Sequence, residues 1–423
     1  METDVIAQQV QDPIESADLV VSILAEFDAD FVAKTHDALR TLPGPLRIVV
    51  VDNEQRQGSA PVNSQAAEKS VLVEGVQKNA AVFRVSSPLT RPEGNVSGVF
   101  RLSGALQSVF AVSEKLNARG CCVIASKLET VTPGCVWQLA QPLFDGEVDL
   151  VLPHYTRRKF NGLLNNSIIA PLMRALYGKR VNNPLGPDFA ASQRLIQTML
   201  VTKAGGNAAG SRRHPLASLT PAALCENLHI KEVHCGARVY PPTDWTAMSS
   251  VLADVLGPIF LDVELNAPCW QRTRSSSAIQ AIGEPPAVGA DTTIVDTARM
   301  VESFQLGNRE LQEIWGLVLP PATLFELRKL ARLPVEQFRM PDELWVRIVY
   351  DFCLAHRLRT ISRDHLLKSM TPLYLGWVAS YAQDLKASGA TTPEGRLERL
   401  SLAYEAGKSY LVSRWRWPDR FNP

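Results

Sequence analysis

The sequence lacks several features that would assign it to a specialised class of protein. Its 44 basic and 43 acidic side chains leave a formal net charge of +1, so no overall field favours nucleic acid or an anionic membrane. No apolar run approaches the roughly 18 residues needed to span a bilayer. The first residues, METDVIAQQVQDPIESADL, have no basic start followed by an apolar stretch, which argues against a secretory signal.

Metal-binding and disulfide patterns are also missing. The seven cysteines have no regular spacing and no CxxC pair, and the seven histidines lie far apart in the sequence. This argues against a zinc site and is typical of a reducing compartment, where unpaired thiols persist. We therefore expect a cytoplasmic protein.

The first half of the sequence contains strands that alternate with helices. Helical patterns separate five β-branched apolar runs, at 17 to 24, 46 to 52, 80 to 86, 120 to 126 and 148 to 155. Such alternation predicts an α/β domain with a doubly wound, mostly parallel sheet.

The pattern becomes mainly helical after residue 242. In the segment 342 to 356, DELWVRIVYDFCLAH, apolar residues recur on one helical face after Pro341, and proline is favoured at the start of a helix. We predict one domain at 1–245 and a mainly helical C-terminal domain at 246–423. The stretch at about 272–293 is rich in Ser, Gly and Pro, which predicts a linker or loop.

The most distinctive segment is 149 to 192, where a predicted strand is followed by HYTRRK. Arg157, Arg158 and Lys159 therefore lie at the carboxyl end of a strand, where ligands bind in open α/β sheets. Three adjacent cations could bind phosphate or carboxylate, although a solvated basic loop has the same pattern. A later Pro-Gly-Pro loop presents Asp188, either as a site acid or as a turn carboxylate that accepts backbone N–H bonds.

This segment resembles bacterial GT-A glycosyltransferases related to glucosyl-3-phosphoglycerate synthase and mannosylglycerate synthase. The similarity covers roughly residues 90 to 415 and implies a GT-A fold, with hexosyl transfer from a nucleotide-diphosphate sugar to a small, anionic acceptor. The blocks that carry it are RKFNG at 158–162, RALYG at 174–178, NPLGPDF at 183–189, and the segments 338–352, 363–376 and 409–415.

Relatives of this kind hold Mg²⁺ or Mn²⁺ through an Asp-x-Asp motif at the end of a central strand. Here that motif aligns with Ala125, Ser126 and Lys127. Alanine offers no oxygen and an ammonium group repels a cation, so we expect no metal cofactor. Two further family positions differ, because Tyr240 replaces a metal-shell histidine and Leu216 replaces an acid near the acceptor.

The resemblance also implies which residues lie at the site. Asp188 and Lys127 are the candidate catalytic residues, and Asp52, Ala125 and Ser126 would lie near the nucleotide. The candidate substrate-binding residues are Arg157, Arg158, Lys159, Asn161, Arg238 and Tyr240.

The sequence leaves three functions open. The first is a catalytically silent glycosyltransferase fold that binds a nucleotide or glycan, or partners an active paralogue. The second is a metal-independent transferase in which Lys127, Arg157 and Arg158 neutralise the leaving diphosphate. The third is a protein-interaction module in the tryptophan-rich helical half, including the C-terminal SRWRWPDRFNP. We expect a homo-oligomer such as a dimer, or a complex with that paralogue.

Overall fold

A computed structural model gives the fold of the chain. It describes residues 16–23, 48–52, 76–77, 80–86, 103–124, 133–204, 213–237, 243–285, 293–387 and 392–418. The strands are β1 (Leu19–Ile23), β2 (Ile48–Asp52), β3 (Val76–Gln77), β4 (Ala80–Ser86), β5 (Gly120–Ile124), β6 (Leu150–Thr156), β7 (Lys179–Arg180), β8 (Phe189–Ser192), β9 (Ile230–Ala237), β10 (Ser277–Ala278) and β11 (Gln280–Ile282).

The helices fall into two groups along the chain. Those that alternate with the strands are α1 (Ser103–Lys115), α2 (Pro133–Phe144), α3 (Ala170–Tyr177), α4 (Gln193–Ala204) and α5 (Pro215–Cys225). Those that follow are α6 (Met248–Leu265), α7 (Ala267–Trp270), α8 (Thr297–Glu310), α9 (Gln312–Gly316), α10 (Pro321–Leu330), α11 (Asp342–Leu358), α12 (Arg363–Ser369), α13 (Thr371–Ala387) and α14 (Pro393–Arg416). No helix in these ranges is long and apolar enough to cross a membrane.

The described strands form a nine-stranded sheet in the order β11-β9-β6-β8-β5-β1-β2-β4-β3, and β10 pairs separately with β7. Strands β4, β2, β1 and β5 are parallel, as are β6, β9 and β11. Strand β8 runs antiparallel between β5 and β6 and joins the two parallel groups. The prediction of a mostly parallel sheet is therefore confirmed, and each of the five predicted strands is present.

Helices cover both faces of the sheet, because alternate side chains of a strand point in opposite directions. In β5, Cys121 and Val123 belong to the core cluster that includes α1, whereas Cys122 and Ile124 pack with α2. The sheet is thus doubly wound, as the sequence predicts.

The helices after α5 share a hydrophobic core with one face of the sheet. The predicted apolar face of α11 is buried, including Trp345, Ile348 and Phe352. Trp345 Nε1 and Tyr404 Oη both donate to the carbonyl of Ser167, at 3.2 and 2.9 Å, in a π-helical turn before α3. A helical C-terminal part is therefore confirmed, while the domain division at residue 245 remains a prediction.

The segment that the sequence predicts as a linker or loop, at about 272–293, contains regular structure. Residues 277–278 form β10 and residues 280–282 form β11. Short polar and small side chains suit an edge position of this kind, because they need no burial. Residues 286–292 lie outside the described part of the chain, as does the predicted helix between β1 and β2.

The expectation of unpaired cysteines is wrong for one pair. Cys225 at the end of α5 and Cys269 in α7 form a disulfide. They are 44 residues apart in sequence, and the fold of the intervening chain brings them together, which spacing rules do not detect.

Ion pairs of two buried arginines hold α14 against α3 of the sheet half and against α11. The guanidinium of Arg174 in α3 donates to Glu398 through Nη1 and Nη2, at 2.6 and 2.9 Å, and to Glu405 through Nε, at 2.9 Å. Arg396 of α14 makes a second forked contact, with Asp342 at 2.7 and 2.8 Å. Removing one partner of such a pair leaves a buried charge, so these contacts fix the position of α14.

Two glycines of the helical part differ in the space around them. A Cβ atom on Gly307 in α8 would lie 2.5 Å from Pro372 Cβ, whereas a Cβ on Gly316 meets nothing within 4 Å. Because overpacking strains a close helix contact, Gly307→Ala should destabilise the protein by about 1–3 kcal/mol. The matched Gly316→Ala should change stability by less than about 0.5 kcal/mol. Chemical denaturation measures both, and equal effects would contradict the packing described.

Candidate functional site

A cleft of about 870 Å³ lies at the carboxyl end of β6 and beside the middle of β9. This volume falls within the range of small-molecule sites, about 300–1,000 Å³. The sheet side contributes residues 154–159, Glu232 and His234, and the edge contributes Ala278, Ile279, Ala281 and Pro285. The helical half supplies the opposite wall, through Tyr381, Pro393, Glu394, Gly395, Leu397, Glu398 and Ser401.

The three predicted cations are brought together in this cleft, because they directly follow β6. Arg157 Nη2 donates to Asn183 Oδ1 at 2.6 Å, and Nη1 donates to Asn166 Oδ1 at 3.3 Å. Gly162 has a φ of 66°, and a Cβ there would lie 2.6 Å from Arg157 Nη1. A glycine at this turn therefore leaves the space that the guanidinium occupies. Arg158 is exposed at the rim, and Lys159 is half-buried.

Glu232 forms a buried acidic part of the cleft. Its carboxylate accepts hydrogen bonds from the backbone N and the Nδ2 of Asn182, both at 2.7 Å. Burial raises the pKa of Glu232, although the bonds from Asn182 and the charge of Arg157 act in the opposite direction. The neighbouring Asn183 is only 5% exposed, and its Nδ2 has no hydrogen-bond partner among the described residues. The Nδ2 group of Asn183 can thus donate a hydrogen bond to a ligand next to Arg157.

Two histidines stack in the cleft. His154 of β6 and His234 of β9 are register partners, and their rings lie 4.5 Å apart with planes inclined by 29°. Burial lowers the pKa of His154 to about 4, with further contributions from His234 and Arg157. His154 is therefore neutral at pH 7. Both Nδ1 atoms are buried and have no hydrogen-bond partner within the described ranges.

Asp188 does not line the cleft. It is fully buried and accepts a hydrogen bond from Tyr155 Oη at 3.0 Å. Tyr155 packs in the core on the α2 side of the sheet, with Cys122 and Cys235. Asp188 is therefore held in the core by Tyr155, which also borders the cleft. A catalytic role of Asp188 remains a prediction.

The other predicted site residues are only partly covered by the structure. Lys127, Ala125 and Ser126 lie outside the described residues, as do Arg238 and Tyr240. Asp52 is the last residue of β2. Asn161 donates from its backbone N to the carbonyl of Arg158 at 3.0 Å and is not among the residues that line the cleft.

The residue types present do not fit a divalent metal site of the Asp-x-Asp kind. Within the described ranges, no group of three or more His, Cys, Asp or Glu side chains could hold a metal ion. At the aligned positions, Ala125 supplies no ligand atom and Lys127 carries a positive charge.

Several cleft residues are absent from the sequence-based predictions. Glu232, His234 and Asn182 lie in segments without a recognisable motif. His154 and His234 are distant in sequence and meet only because β6 and β9 pair in parallel. The Asn-Asn doublets at 165–166 and 182–183 are the signal that could have directed attention to this polar network.

Comparisons with known proteins give structural similarity at low identity. No protein-family model matches the chain, and a search of curated proteins finds no match. Glucosyl-3-phosphoglycerate synthase from Mycobacterium tuberculosis, in complex with phosphoglyceric acid, is 19% identical, with 60% of this chain and 80% of that chain covered and a TM-score of 0.33.

Two further solved structures cover more of the chain. The mannosyltransferase from Pyrobaculum calidifontis, in complex with GDP-Man and Mn²⁺, is 13% identical, covers 96% of this chain and 89% of its own, and has a TM-score of 0.33. S. aureus TarS 1-349 in complex with UDP is 12% identical, with coverages of 93% and 91% and a TM-score of 0.33. Because these scores are low, the functional argument depends on the residues of this chain.

The histidine stack predicts a specific pH dependence of stability. The pKa of His154 is about 4 in the folded protein against 6.5 for an unperturbed histidine, so the folded protein binds fewer protons between these values. The stabilisation by neutral His154 is therefore complete above about pH 6.5 and is lost as the pH falls through about 4. In His154→Gln, the Tm should fall less steeply over this interval.

Differential scanning calorimetry at several pH values measures this effect. Gln197→Ala, on the exposed side of α4, serves as the control and should follow the unmodified protein. Parallel Tm curves for His154→Gln and the unmodified protein would show that His154 is not held neutral in the cleft.

Proposed function

We propose that this protein binds a nucleotide-diphosphate sugar without a divalent cation, as a glycosyltransferase-like protein whose transfer activity is weak, metal-independent or absent. The observation that carries the proposal is the position of β5. This strand lies between β1 and β8, in the interior of the sheet, and ends at Ile124. Ala125 and Lys127 therefore follow the carboxyl end of an interior strand, where α/β sheets bind ligands.

Lys127 is the residue that supports binding without a metal. A single ammonium about 4 Å from a phosphate contributes on the order of 4 kcal/mol of attraction at an effective dielectric of about 20. This is less than a dication contributes, but it is enough to assist the departure of a diphosphate. Loss of both carboxylates together with gain of a cation supports a donor site that functions, if at all, without Mg²⁺ or Mn²⁺.

The cleft suits the second substrate, a small acceptor with an anionic group. Arg157, Arg158 and Lys159 provide positive charge there, and neutral His154 and buried Asn183 provide hydrogen-bonding groups. Strand β8 separates β6 from β5, so these two strands lie about 10 Å apart at the usual strand spacing. That spacing is compatible with transfer of a sugar from a donor beside Lys127 to an acceptor in the cleft.

Partnership with an active paralogue is a second candidate function, and one observation favours it. Trp345, Trp377 and Trp415 are buried and serve packing, so the number of tryptophans in the helical half is largely explained by the core. Trp417 is 61% exposed directly after α14. An exposed tryptophan beside arginines is typical of a protein interface, so a partner would contact this end of the chain.

A thermal shift assay with UDP- and GDP-sugars tests the donor site. A matching sugar at 100 times its Kd should raise the Tm by about 3 °C, equally in Mn²⁺ and in excess EDTA. Lys127→Ala should weaken binding by about tenfold or more, because the counter-charge is removed. Lys115→Ala, which removes an exposed lysine from α1, is the matched control.

Mass spectrometry of the products formed in excess EDTA distinguishes a silent protein from a metal-independent transferase. Binding without product supports the silent form, and product that requires Lys127 supports metal-independent transfer. Stabilisation that appears only with Mn²⁺ would refute the role given to Lys127, and failure of every nucleotide sugar to bind would refute the donor site itself.

Aspartates introduced at positions 125 and 127 should create a metal site. The double variant with Ala125→Asp and Lys127→Asp should acquire Mn²⁺-dependent stabilisation by the nucleotide sugar, because two carboxylates again precede the helix α2. Isothermal titration with Mn²⁺ measures the gained site directly. A variant that folds normally but gains no Mn²⁺ binding would indicate that residues 125 and 127 do not lie where a metal bridges the diphosphate.

A further inference from the structure

Cys225 and Cys269 differ from the other cysteines in their exposure. All seven cysteines of the chain lie within the described residues, and the five outside this disulfide are buried. The two that are joined are half-buried, and their Cα atoms are 5.8 Å apart. That separation is within the usual range for a disulfide, about 4.4–6.8 Å. The bonded pair is therefore the one that a reductant or oxidant in solution can reach.

Three of the other cysteines are also poorly reactive. Burial raises the pKa of Cys121 to about 12, and burial raises the pKa of Cys122 and Cys353 well above the usual range. Because the thiolate is the nucleophile in thiol–disulfide exchange, these thiols compete weakly with an exposed pair. Redox chemistry of this chain is thus directed to one place.

This disulfide lies between two segments that form the cleft. Cys225 ends α5, and the chain then enters β9, which carries Glu232 and His234. Cys269 lies in α7, and the chain then enters β10 and β11 at the edge of the cleft. The disulfide therefore connects the chain just before β9, which lines the cleft, with the chain just before β10 and β11, which lie at its edge.

The edge segment is held by short strand pairings and polar contacts. Strand β10 pairs with β7, and Ser277 N donates to the carbonyl of Gly178 at 3.0 Å. The three residues of β11 are exposed and pair with β9 in register, from Gln280 opposite Lys231 to Ile282 opposite Val233. Its upstream end is held by polar contacts, in which Lys408 Nζ donates to the carbonyl of Thr273 at 2.8 Å. A short, exposed edge strand buries little apolar surface, so its local stability depends strongly on how its ends are anchored.

We propose that Cys225 and Cys269 form a thiol–disulfide switch that controls the local stability of residues 271–285 and thereby the edge of the cleft. In the reductive step, a thiolate of a dithiol attacks one sulfur of the pair and breaks the S–S bond, forming a mixed disulfide. The second thiol of the reagent then releases the protein thiol. The protein gains two electrons and two protons, and the reagent becomes a disulfide.

Hydrogen exchange followed by mass spectrometry tests the switch on the full-length protein, oxidised or reduced with dithiothreitol. Peptides that cover 271–285 should exchange several-fold faster after reduction, whereas peptides from α13 should be unchanged. The Tm should fall by about 3–5 °C, the effect expected for a disulfide in a chain of this length. In the variant with Cys225→Ala and Cys269→Ala, exchange should be fast in both conditions and dithiothreitol should have no effect.

Differential alkylation supplies an independent measurement. After mild oxidation, a Cys225–Cys269 cross-linked peptide should be recovered, and the other five cysteines should be alkylated only after denaturation. Unchanged exchange of 271–285 on reduction of the unmodified protein would overturn the proposal, as would failure to recover the cross-linked peptide. Neither outcome requires the variant to fold.

Discussion

The cleft depends on a buried charge, the guanidinium of Arg174. This side chain is 5% exposed and is neutralised by Glu398 and Glu405 from α14. A charge removed from water is tolerated only when partners of opposite sign are in hydrogen-bonding geometry, so α14 must lie where those carboxylates reach α3. Because α14 also supplies a wall of the cleft, the same ion pairs set its width. The structure assigns Arg174, part of the RALYG block, to this contact.

Within the cleft, a polar network is held at low exposure. Hydrogen bonds join Arg157 to Asn183 and Asn182 to Glu232 across three segments of chain, and this arrangement fixes their side chains before any ligand binds. Burial opposes charge on His154, so the cleft combines permanent positive charge from arginine and lysine with neutral imidazole. The result is a preorganised surface on which few groups need to move, which favours specific binding over loose electrostatic attraction.

Prediction from sequence was most accurate where local patterns determine structure. Strand β4 occurs at the predicted residues, and α11 begins at Asp342, one residue after the predicted first position Pro341, and buries its predicted face. Helix α3 ends at Gly178, whose φ of 74° is favourable for glycine. Strands β8 and β9 were not predicted, because β8 is short and follows a Pro-Gly-Pro loop and β9 begins with alternating charge. Their register with β6, which assembles the cleft, has no local signature.

The sequence by itself determined the α/β character of the first half, the helical character of the second, and the three cations after β6. It also determined the absence of two carboxylates at 125 and 127, because residue identity alone decides which atoms can bind a metal. Only the tertiary structure decided that Asp188 lies under Tyr155 away from the cleft, that His154 stacks on His234, and that Cys225 meets Cys269. The physical reason is that each of these contacts depends on which face of a strand a side chain occupies or on the packing of distant segments, and neither is encoded in a local pattern.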